Sequence, residues 1–335
     1  MYRSKISGIG HYVPENVVTN KDLEAYMETT DEWIQERTGI KERRWVDPNT
    51  DDMPSTMGTK AARIAIKNAG LTPDDIDFIV FATLSPDYYF PGPGVQVQEL
   101  LGIREIGALD VRNQCSGFVY GLSVADQFVK TGMYKNILVI GSEYHSGGLD
   151  KTTRGRGVTV IFGDGAGAVV VSRSEDDAKG ILSTHLHSEG KNAKELALIS
   201  PATSRWVNQI MTDQDENDLS YYPYMNGNFV FKHAVSRFEE VINEALMANG
   251  FTAGNINMLI PHQANLRISQ FIQRKMGLSD DQVYNNIMRY GNTTAASIPI
   301  ALSEACLEGK IKDGDIVCLA AFGSGFTWAS ALIRW

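Results

Sequence analysis

The chain has 335 residues, 43% apolar and 21% charged, and carries a formal net charge of −9 from 31 basic and 40 acidic side chains. This is the balance of a globular protein able to bury one large core or two ordinary ones. It disfavours a general nucleic-acid binder, which presents a basic face, but leaves room for a local basic patch facing an acidic protein partner. The longest apolar runs, 137–140 and 316–322, are far too short to cross a bilayer, and residues 1–8 hold no signal-peptide apolar region. No membrane association and a cytoplasmic location are therefore expected. The cysteines at 115, 306 and 318 show no paired spacing, which argues against a disulfide framework or a zinc site.

In chain order, a helical pattern over residues 59–69 leads into Gly70-Leu71-Thr72-Pro73-Asp74-Asp75-Ile76-Asp77-Phe78-Ile79-Val80, which ends as an apolar strand. A second apolar run breaks off in Leu109-Asp110-Val111-Arg112-Asn113-Gln114-Cys115-Ser116-Gly117-Phe118. From Phe118 the apolar positions Val119, Leu122, Val124, Ala125, Phe128 and Val129 recur at helical spacing, so Cys115 stands at or just before a helix start. A strand ending in glycine follows, Ile137-Leu138-Val139-Ile140-Gly141. Next, Phe162-Gly163-Asp164-Gly165-Ala166-Gly167-Ala168 runs into Val169-Val170-Val171. These glycines precede a strand instead of following one and opening a helix, so they make no phosphate cradle. Sites of close backbone packing fit them better.

Residues 189–228 are polar, aromatic and weakly periodic, fitting either an insertion that covers a site or surface decoration. After a helical stretch at 235–249, Gly250-Phe251-Thr252-Ala253-Gly254-Asn255-Ile256-Asn257-Met258-Leu259-Ile260 answers segment 70–80 at a constant offset of 180 (250 − 70 and 260 − 80). The strand at 316–323 likewise answers that at 137–141. Two similar α/β halves joining near residues 163–174 follow from this repeat. Cys306 lies in the helical pattern at 300–307 and Cys318 in the last strand-like run; both are expected in the core.

A thiol at a helix start faces unpaired N–H groups and the positive end of the helix dipole, which favour the nucleophilic thiolate. By location alone Cys115 is either such a nucleophile or a buried structural cysteine. Two distant segments bear on the choice. His262 follows a strand directly in Pro261-His262-Gln263-Ala264-Asn265-Leu266-Arg267, where α/β folds place ligands. Asn292, in Tyr290-Gly291-Asn292-Thr293-Thr294-Ala295-Ala296-Ser297-Ile298-Pro299, lies 177 residues after Cys115 (292 − 115), close to the repeat offset. A thiolate with neutral His and Asn donors is what acyl transfer through a thioester requires. The Gly323-Ser324-Gly325-Phe326 turn lets backbone approach the thiol, and an N–H near Ser324 would complete an oxyanion hole. The cysteine lacks the context of a papain-like protease.

These segments, with Thr30-Asp31-Glu32-Trp33-Ile34-Gln35-Glu36-Arg37-Thr38-Gly39-Ile40 and Phe322-Gly323-Ser324-Gly325-Phe326-Thr327-Trp328, resemble the β-ketoacyl-acyl-carrier-protein synthase III family. Six stretches in the family's order make the resemblance specific. It implies a homodimer of thiolase-like, five-layered α/β/α/β/α subunits built from two pseudo-repeated halves. Residues 1–173 would carry the cysteine, and residues 174–335 the histidine and asparagine. It further implies that Cys115 takes an acyl group from acyl-CoA. Malonyl-acyl-carrier protein then loses carbon dioxide, and its enolate, stabilised by His262 and Asn292, attacks the acyl-enzyme. Both thioesters are substrates, and no cofactor or metal is implied.

By the same resemblance Trp33 and an arginine, Arg156 or Arg154, clamp the adenine of CoA, and spacing favours Arg156. Arg37 lies near the CoA phosphates and Asn265 beside the pantetheine arm. Lys232, Arg267, Arg274 and Lys275 correspond to positions that dock acyl-carrier protein, and Phe90 to an acyl-pocket residue contributed across the dimer interface. The chain departs from the usual pattern at Asn113-Gln114, at Ser324 in place of a glycine, at Glu143-Tyr144-His145-Ser146 and in a longer segment 204–224. Those departures leave open the acyl primer, and a specialised relative that uses longer chains or small-molecule acceptors. A degradative thiolase would carry a second cysteine in the turn at 321–325, where this chain has none. A non-catalytic acyl-CoA-binding subunit would not need the Cys–His–Asn set.

Overall fold

The computed structural model describes residues 2–200, 202 and 218–335. The first sheet has five strands: β1 (Arg3–Tyr12), β2 (Phe78–Ala82), β3 (Gly107–Val111), β4 (Asn136–Glu143) and β5 (Gly165–Ser174), in the order β1-β5-β4-β2-β3. The second has four: β6 (Gly180–Ser188), β7 (Met258–Pro261), β8 (Ile316–Gly323) and β9 (Thr327–Arg334), in the order β7-β8-β9-β6. In each sheet two parallel strands, β2 with β4 and β7 with β8, continue into an antiparallel pair. Strands β2 and β4 begin at residues 78 and 136, and β7 and β8 at 258 and 316, so the offset of 180 holds in three dimensions.

Seven helices matter for the site: α1 (Asp31–Thr38), α2 (Pro54–Asn68), α3 (Pro93–Leu101), α4 (Gly117–Lys130), α5 (Gly227–Ala248), α6 (Leu266–Met276) and α7 (Ser297–Leu307). Helices α2 and α3 cover the outer face of the first sheet, while α5 and α6 cover that of the second. Between the sheets lie α4 and α7, sharing one core with both. The result is the expected five layers, α/β/α/β/α.

The layer a helix occupies is written in its sequence. Helix α5 buries one stripe, Phe238, Val241, Ile242, Ala245 and Leu246, at helical period. Helix α4 has a sheet on both sides and buries Val119, Ser123 and Asp126 as well as the stripe Phe118, Leu122, Ala125 and Val129. Each such large apolar side chain contributes roughly 1.5–3 kcal/mol on burial. Small residues let the layers close: a Cβ at Gly121 would already lie 3.1 Å from Val80 and 3.3 Å from Val139. Gly167 acts likewise, since a Cβ there would meet the Ile300 N of α7 at 2.8 Å; it lies inside β5, which opens at Gly165 and so takes in the glycines expected to precede it.

Three expectations need correction. The helices at 59–69 and 235–249 begin earlier, at Pro54 and Gly227, because Pro54 and the Asn226 cap open them ahead of the apolar period. Cys306 is only half-buried, packed against the core from its margin. The residue related to Cys115 by the offset of 180 is Ala295, not Asn292; each stands two residues before its central helix. Within 189–228, strand Leu196–Ala197 pairs with Tyr224–Met225; most of segment 204–224 lies outside the described residues. No helix among the described residues is long and apolar enough to cross a membrane.

Candidate active site

Where the second sheet meets the loops of the first, a cavity of about 440 Å³ is lined at once by Cys115, His262 and Asn292. Trp33, Arg37, Asn265 and Arg267 line it too, with Leu196, Met225, Val230, Phe231 and Phe238 forming apolar wall. Cys115 lies in the loop from β3 to α4 and is 7% exposed. Gly323, at the end of β8, presses on it: a Cβ there would fall 2.6 Å from Cys115 Cβ. The backbone N–H groups of Ser324 and of Cys115 itself face the sulfur. The Ser324 hydroxyl instead donates to the Leu196 carbonyl, so the turn contributes its backbone to the site.

The expected ready-made thiolate is overturned. Burial pushes the Cys115 thiol up to about 12, and the negative charge of Glu143 adds to that rise. The two N–H groups facing the sulfur lower it by less than the loss of water around a buried anion raises it. Cys115 therefore rests as a thiol. Glu143, fully buried at the end of β4, accepts hydrogen bonds from the hydroxyls of Ser85 at 2.7 Å and Thr83 at 3.1 Å and from the Leu84 N–H. Burial still raises its carboxyl to about 7.

His262 follows β7, and burial lowers its pKa to about 3, so the ring is neutral. Its Nδ1 lies 2.6 Å from Ser297 Oγ, the first residue of α7. That oxygen also accepts from the Gln263 N–H at 3.4 Å, and in the tautomer in which Nδ1 accepts, the Ser297 hydroxyl donates to it. The imidazole proton then sits on Nε2, a buried atom with no hydrogen-bond partner among the described residues. Asn292 is gripped by its backbone, its N–H donating to Ile161 O at 2.8 Å and its carbonyl accepting from Gly163 N at 3.1 Å. Its Oδ1 accepts from the Thr294 N–H at 2.8 Å, so the amide NH2 is the end left to donate. Two neutral donors thus share one cavity with the thiol, suited to a developing oxyanion or enolate.

At the mouth, Arg156 Cζ lies 4.8 Å from the Trp33 ring centroid and Arg37 Cζ 4.4 Å from it. Arg154 is drawn elsewhere, its Nε on Asp150 Oδ2 at 2.6 Å and its guanidinium over Tyr222. Geometry therefore brings Arg156, not Arg154, to Trp33. Asn265 caps α6 by accepting from the Arg267 N–H, and its Nδ2 donates to the Arg37 carbonyl at 2.9 Å, tying α1 to α6. Lys232, Arg267, Arg274 and Lys275 are all exposed, and Lys275 pairs with Glu239 at 2.8 Å. Phe90 is 74% exposed and takes no part in the cavity of the single chain. Sequence reasoning missed Ser297 and Glu143. A hydroxyl opening a helix is ordinary, and only the carboxylate ending an apolar strand was a signal.

The chain matches the family described as 3-oxoacyl-acyl-carrier-protein synthase III over residues 109–190, and that family's C-terminal region over residues 246–335. It is 46% identical over 331 residues to the β-ketoacyl-acyl-carrier-protein synthase III of Salmonella arizonae, covering 99% of each chain. The crystal structure of 3-oxoacyl-acyl-carrier-protein synthase III from Aquifex aeolicus VF5 superposes with a TM-score of 0.90 at 43% identity, covering 99% of this chain and 100% of that one. That of β-ketoacyl-acyl-carrier-protein synthase III from Thermus thermophilus gives 0.89 at 38%, covering 99% of both. The chain belongs to the β-ketoacyl-acyl-carrier-protein synthase III family. It is a condensing acyltransferase of fatty acid biosynthesis with the thiolase fold.

Proposed function

We propose that this enzyme primes fatty acid synthesis by joining an acyl group from acyl-CoA to malonyl-acyl-carrier protein, with Cys115 as the carrier. The observation that carries this reading is the single cavity joining the Cys115 thiol, two neutral donors and a Trp–Arg mouth. Acyl-CoA enters with its adenine beside Trp33 and Arg156 and its phosphates near Arg37; an indole and a guanidinium both stack on a flat base. The pantetheine arm passes Asn265. The Cys115 sulfur attacks the thioester carbonyl while the N–H groups of Ser324 and Cys115 receive the oxyanion. The carbon–sulfur bond to CoA breaks, and the Cys115 proton ends on the CoA thiol.

In the second half-reaction malonyl-acyl-carrier protein takes the place of CoA. Its carboxylate leaves as carbon dioxide, and the electron pair moves into an enolate whose oxygen receives hydrogen bonds from His262 Nε2 and the Asn292 amide. The enolate carbon attacks the Cys115 thioester, the carbon–sulfur bond to Cys115 breaks, and the released thiolate takes a proton from water, the earlier one having left on CoA. Exposed Lys232, Arg267, Arg274 and Lys275 form the docking face for the acidic carrier protein. Edge strand β3 and the exposed loop of Tyr88, Tyr89 and Phe90 support a homodimer in which Phe90 reaches the partner's acyl pocket. The sequence expectation of a cytoplasmic enzyme goes with this reading.

The test is intact-protein mass spectrometry with a panel of acyl-CoAs, then malonyl-acyl-carrier protein. An acyl adduct should form on the native chain, be absent in Cys115→Ala and disappear as β-ketoacyl-carrier protein forms. An adduct that persists in Cys115→Ala would end the assignment.

A further inference from the structure

Asn292 faces the cavity from a segment whose shape does not suit its residues. Thr294 has φ 49, in the left-handed region that a β-branched residue seldom adopts. Its N–H donates to Asn292 Oδ1 at 2.8 Å, the bond that leaves the amide NH2 for the cavity. Something must hold Thr294 there. Its hydroxyl is buried and lies 2.7 Å from His145 Nε2. His145 belongs to the other half, two residues beyond β4. It is itself held: its N–H donates to Asp164 Oδ1 at 2.7 Å, and its ring lies 4.8 Å from that of Phe162, a wall of the cavity. The following residue, Ala295, points its N–H at Glu143 Oε1 at 3.4 Å, so the same loop braces two successive residues behind Asn292.

We propose that His145 is a positioning residue for Asn292, acting through the Thr294 hydroxyl to hold the turn that aims the Asn292 amide at the cavity. The inference rests on the assignment of Asn292 to the condensation step. Without the brace, Thr294 loses a support for its strained backbone, the residue shifts in its turn, and the Oδ1 bond that fixes the Asn292 amide weakens. Acylation makes no use of Asn292 and is untouched. Burial keeps the His145 ring neutral, so the brace holds across the physiological pH range.

The experiment compares Thr294→Val, His145→Leu, their double variant and Thr294→Ser, with Asn292→Ala as reference. Two steps are followed separately: acylation of Cys115 by the acyl-CoA that labels the native chain, and consumption of the preformed acyl-enzyme by malonyl-acyl-carrier protein. Thr294→Val and His145→Leu should each slow condensation on the order of 10- to 100-fold, as a misplaced donor does, with acylation and Tm unchanged. The double variant should be no slower than the worse single, since both remove one contact. Thr294→Ser, which keeps the hydroxyl, should restore the native rate. Native condensation in both single variants while Asn292→Ala is impaired would overturn the brace alone, as would an equal fall in acylation, condensation and Tm, which marks mere packing. Native condensation in Asn292→Ala would instead remove the assignment beneath it.

Discussion

The two central helices begin 180 residues apart, α4 at Gly117 and α7 at Ser297, and their approaches make an instructive pair. Two residues before each stand Cys115 and Ala295. Where β2 ends at Ala82, the position 180 residues on, just past β7, is His262. Each helix start is pressed by a glycine of the opposite sheet. A Cβ at Gly323 would lie 2.6 Å from Cys115 Cβ, and one at Gly141 only 2.3 Å from the Ala295 carbonyl. The scaffold is therefore near-symmetric while its side chains are not: one half places a thiol in the cavity, the other two uncharged donors. Neutral donors suit these buried positions, because a second buried charge beside the thiol would carry a large desolvation cost.

Removing the donors tests this asymmetry most severely. His262→Ala and Asn292→Ala should each lower condensation by ~10²–10³, about 2.7–4 kcal/mol, while acylation of Cys115 continues. Parallel loss of both steps would mean that the division of labour between the halves is wrong. Gly323→Ala compared with Gly141→Ala tests the paired glycines. The first should slow acylation sharply by shifting Cys115, the second should impair condensation by shifting Ala295, and each should cost about 1–3 kcal/mol of stability by overpacking. If both variants failed at the same step, the reciprocal contacts would not be the determinants.

A smaller effect separates the two influences on the thiol. Glu143 titrates near 7, so above that pH its charge opposes ionisation of Cys115. Glu143→Gln removes the charge, lowers the thiol pKa and should speed iodoacetamide alkylation above neutrality by up to about tenfold, the effect of one pKa unit. An unchanged alkylation profile would leave burial as the sole cause. The smallest effect concerns the exposed rim. Raising ionic strength from about 0.01 to 1 M shortens the screening length from about 30 to 3 Å. KM for malonyl-acyl-carrier protein should rise far more than KM for acyl-CoA, and equal sensitivity would count against a basic docking face.

Much of the molecule was legible in one dimension. The repeat at an offset of 180, the strand at 316–323 and the helix following Cys115 are local patterns, and the elements follow them because burial on a strand or helix has a fixed period. Cys115, His262 and Asn292 could be picked out because each stands beside a glycine, a strand end or a helix start. Ser297 could not, since its contact with His262 spans 35 residues of sequence and nothing local marks it. The choice of Arg156 over Arg154 likewise depended on Asp150 capturing one guanidinium while the other reached Trp33.

The amino-acid sequence by itself therefore determined the repeat and its two α/β halves, which rest on residue type and short-range period, while the five layers and the assignment of the candidate site groups came with the family resemblance. Only the tertiary structure decided their state: a thiol held up at about 12, a neutral histidine with its free nitrogen in the cavity, and an asparagine with its oxygen already occupied. Protonation and orientation depend on how much water a group loses and which partners replace it. Distant segments set both when they close around the site.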